Sequence, residues 1–153
     1  MANATQNTIF VLNGPNLNLL GQREPEIYGH ESLNEIEARM VSDASRLGFT
    51  IDFRQSNAEG ALVDWVQEAR EAAFGLIINP GAYTHTSIAL LDALSAVDIP
   101  KIELHLSNIH AREPFRRESR IASAVDGVIM GFGAHGYLLG LDAVKQLIIA
   151  REE

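Results

Sequence analysis

The most constraining feature of this sequence is an alternation. Short β-type apolar runs at 8–12, 49–56, 76–78, 101–107 and 125–130 are separated by helical patterns. Helices are expected over 33–47, 58–74, 87–97 and 137–151, with a short helical turn at 115–121. In the first of these, Leu33, Ile36, Met40, Ala44 and Leu47 recur at helical spacing behind a Ser32-Leu33-Asn34-Glu35 capping box. The run Leu76-Ile77-Ile78 has no polar face, which suits a strand covered on both sides. Five repeats of strand and helix predict a single α/β domain over 1–153. The expected architecture is a three-layer flavodoxin-like fold, a five-stranded parallel sheet with helices on both faces. Residues 1–7 are polar and read as a flexible N-terminus.

Composition narrows the classes of function. A 153-residue chain with 46% hydrophobic content and mean hydropathy near zero is globular and large enough for a real core. The chain has no Cys, which excludes disulfides and thiolate metal sites. No apolar run approaches the length of a membrane span, and the N-terminus lacks the charged and apolar regions of a signal peptide. A cytoplasmic protein with no membrane partner is expected. A net charge of -8 argues against nucleic acid as a partner. Against that acidic background, Arg112, Arg116, Arg117 and Arg120 are crowded into one short stretch. Such a cluster suits a small anionic ligand or a subunit contact.

The chemistry concentrates in the fourth run, 101–107. Ile102, Leu104 and Leu106 share one face of a strand, and Glu103, His105 and Ser107 share the other. If that second face is buried, Glu103 requires a partner, and His105 is the nearest. A carboxylate that accepts from one imidazole nitrogen orients the ring and favours its protonated form, which is how a general acid is built. The alternative is a half-exposed edge strand carrying a solvated pair.

Other polar residues fall just after strands, where ligands sit in open α/β sheets. Asn13 to Asn18 follow the first run, and Asn79 to His85 follow the third. The segment 21–29 reads as a polar lid loop carrying Arg23 and Tyr28. A guanidinium near a phenol makes Tyr28 a plausible base, although a lid Tyr can equally serve as a cover. Gly131-x-Gly133-x-x-Gly136 matches a dinucleotide fingerprint as a string, but it follows the last strand with only one helix remaining. A tight turn with close helix packing is expected there. The five His match no zinc spacing, and no metal is expected. Lys101 and Lys145 are the only lysines, and neither falls at a strand's carboxyl end, which disfavours Schiff-base chemistry.

Taken together, five segments resemble the type II 3-dehydroquinate dehydratases of the shikimate and quinate pathways. They are 13–21, 23–29, 79–87, 103–116 and 131–137, in family order across nearly the whole chain. The resemblance implies a hydro-lyase that converts 3-dehydroquinate to 3-dehydroshikimate by anti elimination through an enolate, without cofactor or metal. By similarity, Tyr28 is the base and Arg23 supports its charge. His105 is the general acid, oriented by Glu103, and Asn16 holds a water against the enolate oxygen. The resemblance further implies that Asn79, His85, Leu106, Ser107 and Arg116 bind substrate and that Arg112 closes over it. Asp92 matches a residue that reaches a neighbouring subunit's site, and the family's usual assembly is a homododecamer of four trimers.

Two other functions of such a fold fit less well. A phospho-acceptor receiver needs acidic residues where this chain has Asn13 and Asn79. An FMN carrier wants a Ser/Thr-rich loop where it has Asn13-Gly14-Pro15-Asn16. A relative with the same fold and a dead site is disfavoured by the intact Tyr28, Arg23, His105 and Glu103.

Overall fold

The computed structural model describes residues 7–153, so the expected flexible N-terminus, apart from Asn7, lies outside the described residues. The strands are β1 (Thr8–Asn13), β2 (Thr50–Gln55), β3 (Gly75–Asn79), β4 (Lys101–His105) and β5 (Gly127–Met130). All four pairings are parallel, and the order is β2-β1-β3-β4-β5. The helices are α1 (Pro25–Tyr28), α2 (Leu33–Arg46), α3 (Glu59–Ala72), α4 (Ile88–Ser95) and α5 (His135–Glu152). This is the expected three-layer α/β architecture.

The period-two alternation of the strands sorts side chains into two core layers. Ile9 and Val11 of β1 join Ile77, Ile102 and Leu104 in a layer under α2 and α5, with Met40, Leu141 and Val144. Phe10 and Leu12 join Leu76 and Ile78 in the opposite layer, under α3 and α4, with Leu62, Val66, Leu90 and Leu94. Each such side chain contributes roughly 1.5–3 kcal/mol relative to exposure. Two of the helices, α2 and α4, start where serine side chains cap them. Ser32 Oγ accepts from the Glu35 amide at 3.2 Å, and Ser87 Oγ from the Leu90 amide at 2.9 Å.

Three local expectations change. The lid segment contains a one-turn helix, α1, started by Pro25, whose fixed φ suits a first helical position. In place of one turn over 115–121 there are two 3-10 turns, Pro114–Arg116 and Ala122–Ala124. Between them Ser119 Oγ accepts from the amides of Ile121 and Ala122, a local side-chain bond that competes with continued helix. The fourth strand ends at His105 rather than 107, because the Leu106 carbonyl turns to accept from Gly133 in the glycine-rich turn.

That turn does the job expected of it. A Cβ on Gly136 would stand 2.8 Å from Leu104 Cδ1, so the glycine lets the start of α5 lie against the sheet. Gly14 is tighter still. It follows β1 and donates to the Asn79 carbonyl at 2.8 Å, and a Cβ there would meet the Pro80 carbonyl oxygen at 2.3 Å. Backbone cannot swing aside as a side-chain tip can. Gly14→Ala is therefore expected to destabilise the protein by about 1–3 kcal/mol, the usual cost of overpacking. A urea melt with an unchanged midpoint would contradict this contact.

Among the described residues, no helix is long and apolar enough to cross a membrane.

Candidate active site

Between β1 and β3 the strand order reverses, and a crevice opens beyond the carboxyl ends of the strands. The loops after β1, β3 and β4 and the lid line it. Of the twelve residues singled out from sequence, ten line this cleft: Asn16, Arg23, Tyr28, Asn79, His85, His105, Leu106, Ser107, Arg112 and Arg116. Glu103 lies directly behind His105. Asp92 does not line the cleft; it is exposed on α4.

The back wall is β4. Every residue of this strand is buried, and it is flanked by β3 and β5. The solvated edge-strand alternative therefore falls. Because Ile102 and Leu104 face α5, Glu103 and His105 face the other side of the sheet. There the loops after β3 and α4's neighbouring turns replace a helix, and they bring polar partners. Glu103 is 0% exposed, and one of its carboxylate oxygens, Oε2, stands 2.5 Å from His105 Nε2. The Thr84 hydroxyl donates to Oε2 at 3.0 Å, and the Ser119 hydroxyl donates to Oε1 at 2.8 Å. Burial alone would push this carboxyl up, but the hydrogen bond and charge of His105, then Ser119 and Thr84, bring it below its ordinary value. The result is a buried anion with three donors. With Nε2 turned to Glu103, Nδ1 is the ring nitrogen left for a ligand.

His85 stacks beside His105, with ring centroids 6.5 Å apart and planes inclined by 19°. Its Nδ1 is 2.9 Å from the Glu118 carbonyl, which can only accept, so Nδ1 carries the proton. Burial holds the ring's pKa below the ordinary value, with the positive neighbours His105 and Arg116 adding to the effect. A neutral His85 then has its Nε2 lone pair free to accept.

The front of the cleft is the lid. Tyr28 ends α1, a helix with no buried residue. Two guanidiniums flank its ring, with Arg23 Cζ at 5.3 Å and Arg112 Cζ at 5.2 Å from the centroid. Arg112, rather than Arg23, reaches the hydroxyl, donating through Nη1 at 2.8 Å. Arg23 pairs with Glu24 at 3.3 Å. Two non-glycine residues, Asn16 (φ 68°) and Glu24 (φ 42°), hold left-handed backbone conformations here. Such strain gathers at functional sites.

Of the Arg cluster, Arg112 and Arg116 line the cleft; Arg117 instead donates to the Arg112 carbonyl at 3.1 Å. Arg116 is held by Glu113 at 2.8 Å. Lys101 begins β4 at the far end of the sheet, where its ammonium donates to the Leu94 and Val97 carbonyls at the end of α4. Among the described residues, no three His, Cys, Asp or Glu side chains gather as a metal site requires.

Sequence reasoning missed Thr84 and Ser119. Thr84 lies within a segment already singled out, but Ser119 comes from a loop with no periodicity to mark it.

The family model for class II dehydroquinases matches residues 7–145. A protein from Rhizobium meliloti named 3-dehydroquinate dehydratase is 64% identical over 140 residues, covering 92% of this chain and 95% of its own length. Another of that name from Streptomyces coelicolor is 55% identical, covering 91% and 89%. The crystal structure of a type II dehydroquinase from Butyrivibrio crossotus superposes with a TM-score of 0.89 at 42% identity, covering 92% of this chain and 98% of that one. The match runs from the first strand into the last helix, through every loop that builds the cleft, and by it this chain belongs to the class II dehydroquinase family.

Proposed function

We propose that this protein dehydrates 3-dehydroquinate to 3-dehydroshikimate by anti elimination through an enolate. One observation carries the reading: a phenol held by a guanidinium and an imidazole held by a buried carboxylate open into the same cleft. Elimination beside a ketone needs a base, an acid, and stabilisation of the oxyanion that forms between the two steps.

In this reading the Tyr28 oxygen takes the proton next to the ketone. The Arg112 hydrogen bond stabilises negative charge on that oxygen, and Arg23 adds a second positive charge beside the ring. The C–H electron pair moves onto the ketone oxygen as an enolate, against which Asn16 holds a water. The enolate then collapses and expels the hydroxyl, which leaves as water with a proton from His105 Nδ1. Glu103 stabilises the imidazolium through Nε2. Asn79, His85, Ser107 with the Leu106 and Ser107 backbone, Arg112 and Arg116 hold the substrate's hydroxyls and carboxylate. The neutral His85 suits a hydroxyl donor, and Arg116 suits the carboxylate. The proton removed is already acidified by the ketone, so the reaction requires no cofactor or metal.

The exposed position of Asp92 fits a role at a neighbouring subunit's site in a homododecamer of four trimers. We place the enzyme in the cytoplasm, with no nucleic-acid or membrane partner.

Purified protein mixed with 3-dehydroquinate is expected to give rising near-ultraviolet absorbance from the conjugated enone. The rise is expected to survive both chelator and borohydride. Loss with chelator would require a metal, loss with borohydride would require a Lys Schiff base, and no rise at all would overturn the assignment.

A further inference from the structure

Asn13 and Asn79 are the last residues of β1 and β3, and they are register partners. Both are buried, at 0% and 2% exposure, at the floor of the crevice. Two side-chain amides buried together need partners for four donor hydrogens and two carbonyl oxygens. The group that reaches them is the hydroxyl of Tyr137, in the first turn of α5. Its side chain is 0% exposed, and its ring packs against Phe53. The close seat of α5, which Gly136 allows against Leu104, brings the phenol under both strand ends.

The bonds form a chain with one direction. Asn13 Nδ2 donates to the Arg54 carbonyl at 3.0 Å. Tyr137 donates to Asn13 Oδ1 at 2.6 Å, and Asn79 Nδ2 donates to the Tyr137 oxygen at 3.0 Å. Finally the Gly81 amide donates to Asn79 Oδ1 at 3.3 Å. Both ends are backbone groups: the Arg54 carbonyl can only accept, and the Gly81 amide can only donate. That polarity determines every orientation between them. A flipped Asn79 would point an acceptor at a hydroxyl already committed to Asn13 and a donor at the Gly81 N–H. The flip costs the buried bond to Tyr137 and the part-buried bond to Gly81, and the hydroxyl in the middle, donating one way and accepting the other, supplies the first of these.

We propose that Tyr137 is a positioning residue for substrate. Through Asn13 and the Arg54 carbonyl it locks the Asn79 amide so that its second N–H is presented to a substrate oxygen in the cleft. This rests on the reading of Asn79 as a substrate ligand. The phenol is suited to the task because burial raises its pKa and keeps it a neutral donor and acceptor. The chain takes no part in proton transfer.

The test is a double-mutant cycle on the full-length enzyme with Tyr137→Phe and Asn79→Ala, reading kcat and KM for 3-dehydroquinate. Tyr137→Phe is expected to lower kcat/KM about tenfold, the worth of one misdirected hydrogen bond. Most of the loss should appear in KM, because the interaction holds substrate before and during reaction alike. In the Asn79→Ala background the same substitution should change kcat/KM less than twofold. An equal loss in both backgrounds, or a lower melting temperature with unchanged kcat/KM, would make Tyr137 merely structural and overturn the proposal. If Asn79→Ala alone leaves kcat/KM unchanged, the reading of Asn79 as a ligand fails first, and the proposal falls with it. Should Tyr137→Phe not fold, Asn13→Ala reads the same point, because it removes the acceptor that fixes the direction of the Tyr137 hydroxyl. It should lower kcat/KM in the wild-type background and change it less than twofold in the Asn79→Ala background, and an equal loss in both would overturn the proposal.

Discussion

Tyr28→Phe is expected to lower kcat by about 10²–10⁴-fold, the usual contribution of one general base, while product binding stays within a few-fold of wild type. The substitution is narrow. The ring keeps its contacts with Arg23 and Arg112, and only the oxygen that accepts from Arg112 is lost. Tyr28 is only half-buried, so water can satisfy the freed guanidinium hydrogen. Folding stability should therefore change little. Steady-state absorbance kinetics with calorimetric titration of product separates the two effects. A kcat near wild type would remove Tyr28 from the role of base.

His105→Ala should cost a comparable factor in kcat, and unlike Tyr28→Phe it should also destabilise the fold. Among the described residues, His105 is the only side chain with a cationic form that bonds to the Glu103 carboxylate, which is 0% exposed. Removing one member of a buried pair commonly costs about 3–5 kcal/mol, because the charge left behind has lost its compensation. Here Thr84 and Ser119 still donate to Glu103, so the lower end of that range is expected. Burial, then opposed only by two hydroxyls, should move the Glu103 carboxyl up. Turnover per folded molecule and a denaturant midpoint measured on the same sample separate catalysis from stability. Undiminished turnover would exclude His105 as the acid.

The parts of the site that were legible in the sequence are those that regular structure brings together. Glu103 and His105 are two residues apart on one strand, and period two places them side by side. The helix stripes and strand alternation likewise sort residues into the correct core layers. Contacts across loops carry no such signal. Arg112 meets Tyr28 across 84 positions, and Tyr137 meets Asn13 across 124. Arg23 stood out because it lies near Tyr28 in the chain, yet it takes the ring while Arg112 takes the hydroxyl. The helix α1 announced its start with Pro25, but four residues are too few to show a helical period. Ser119 was hidden for a simpler reason: in the sequence, a loop serine looks the same whether or not it turns inward onto a buried carboxylate.

The two proposed proton-transfer groups stand on supports of unlike durability. His105 belongs to a strand buried at every position, and such a strand opens only when the whole domain does. Tyr28 belongs to a single helical turn with no fully buried residue, its own ring half-buried against the core and tied down by rings, ions and one hydrogen bond. Stresses too mild to unfold the sheet can therefore detach the base and leave the acid in place. In that state the molecule is intact yet silent. Inheritance follows the same division: substitutions in the lid can adjust the pace of turnover without endangering the fold, whereas those in β4 put both at stake.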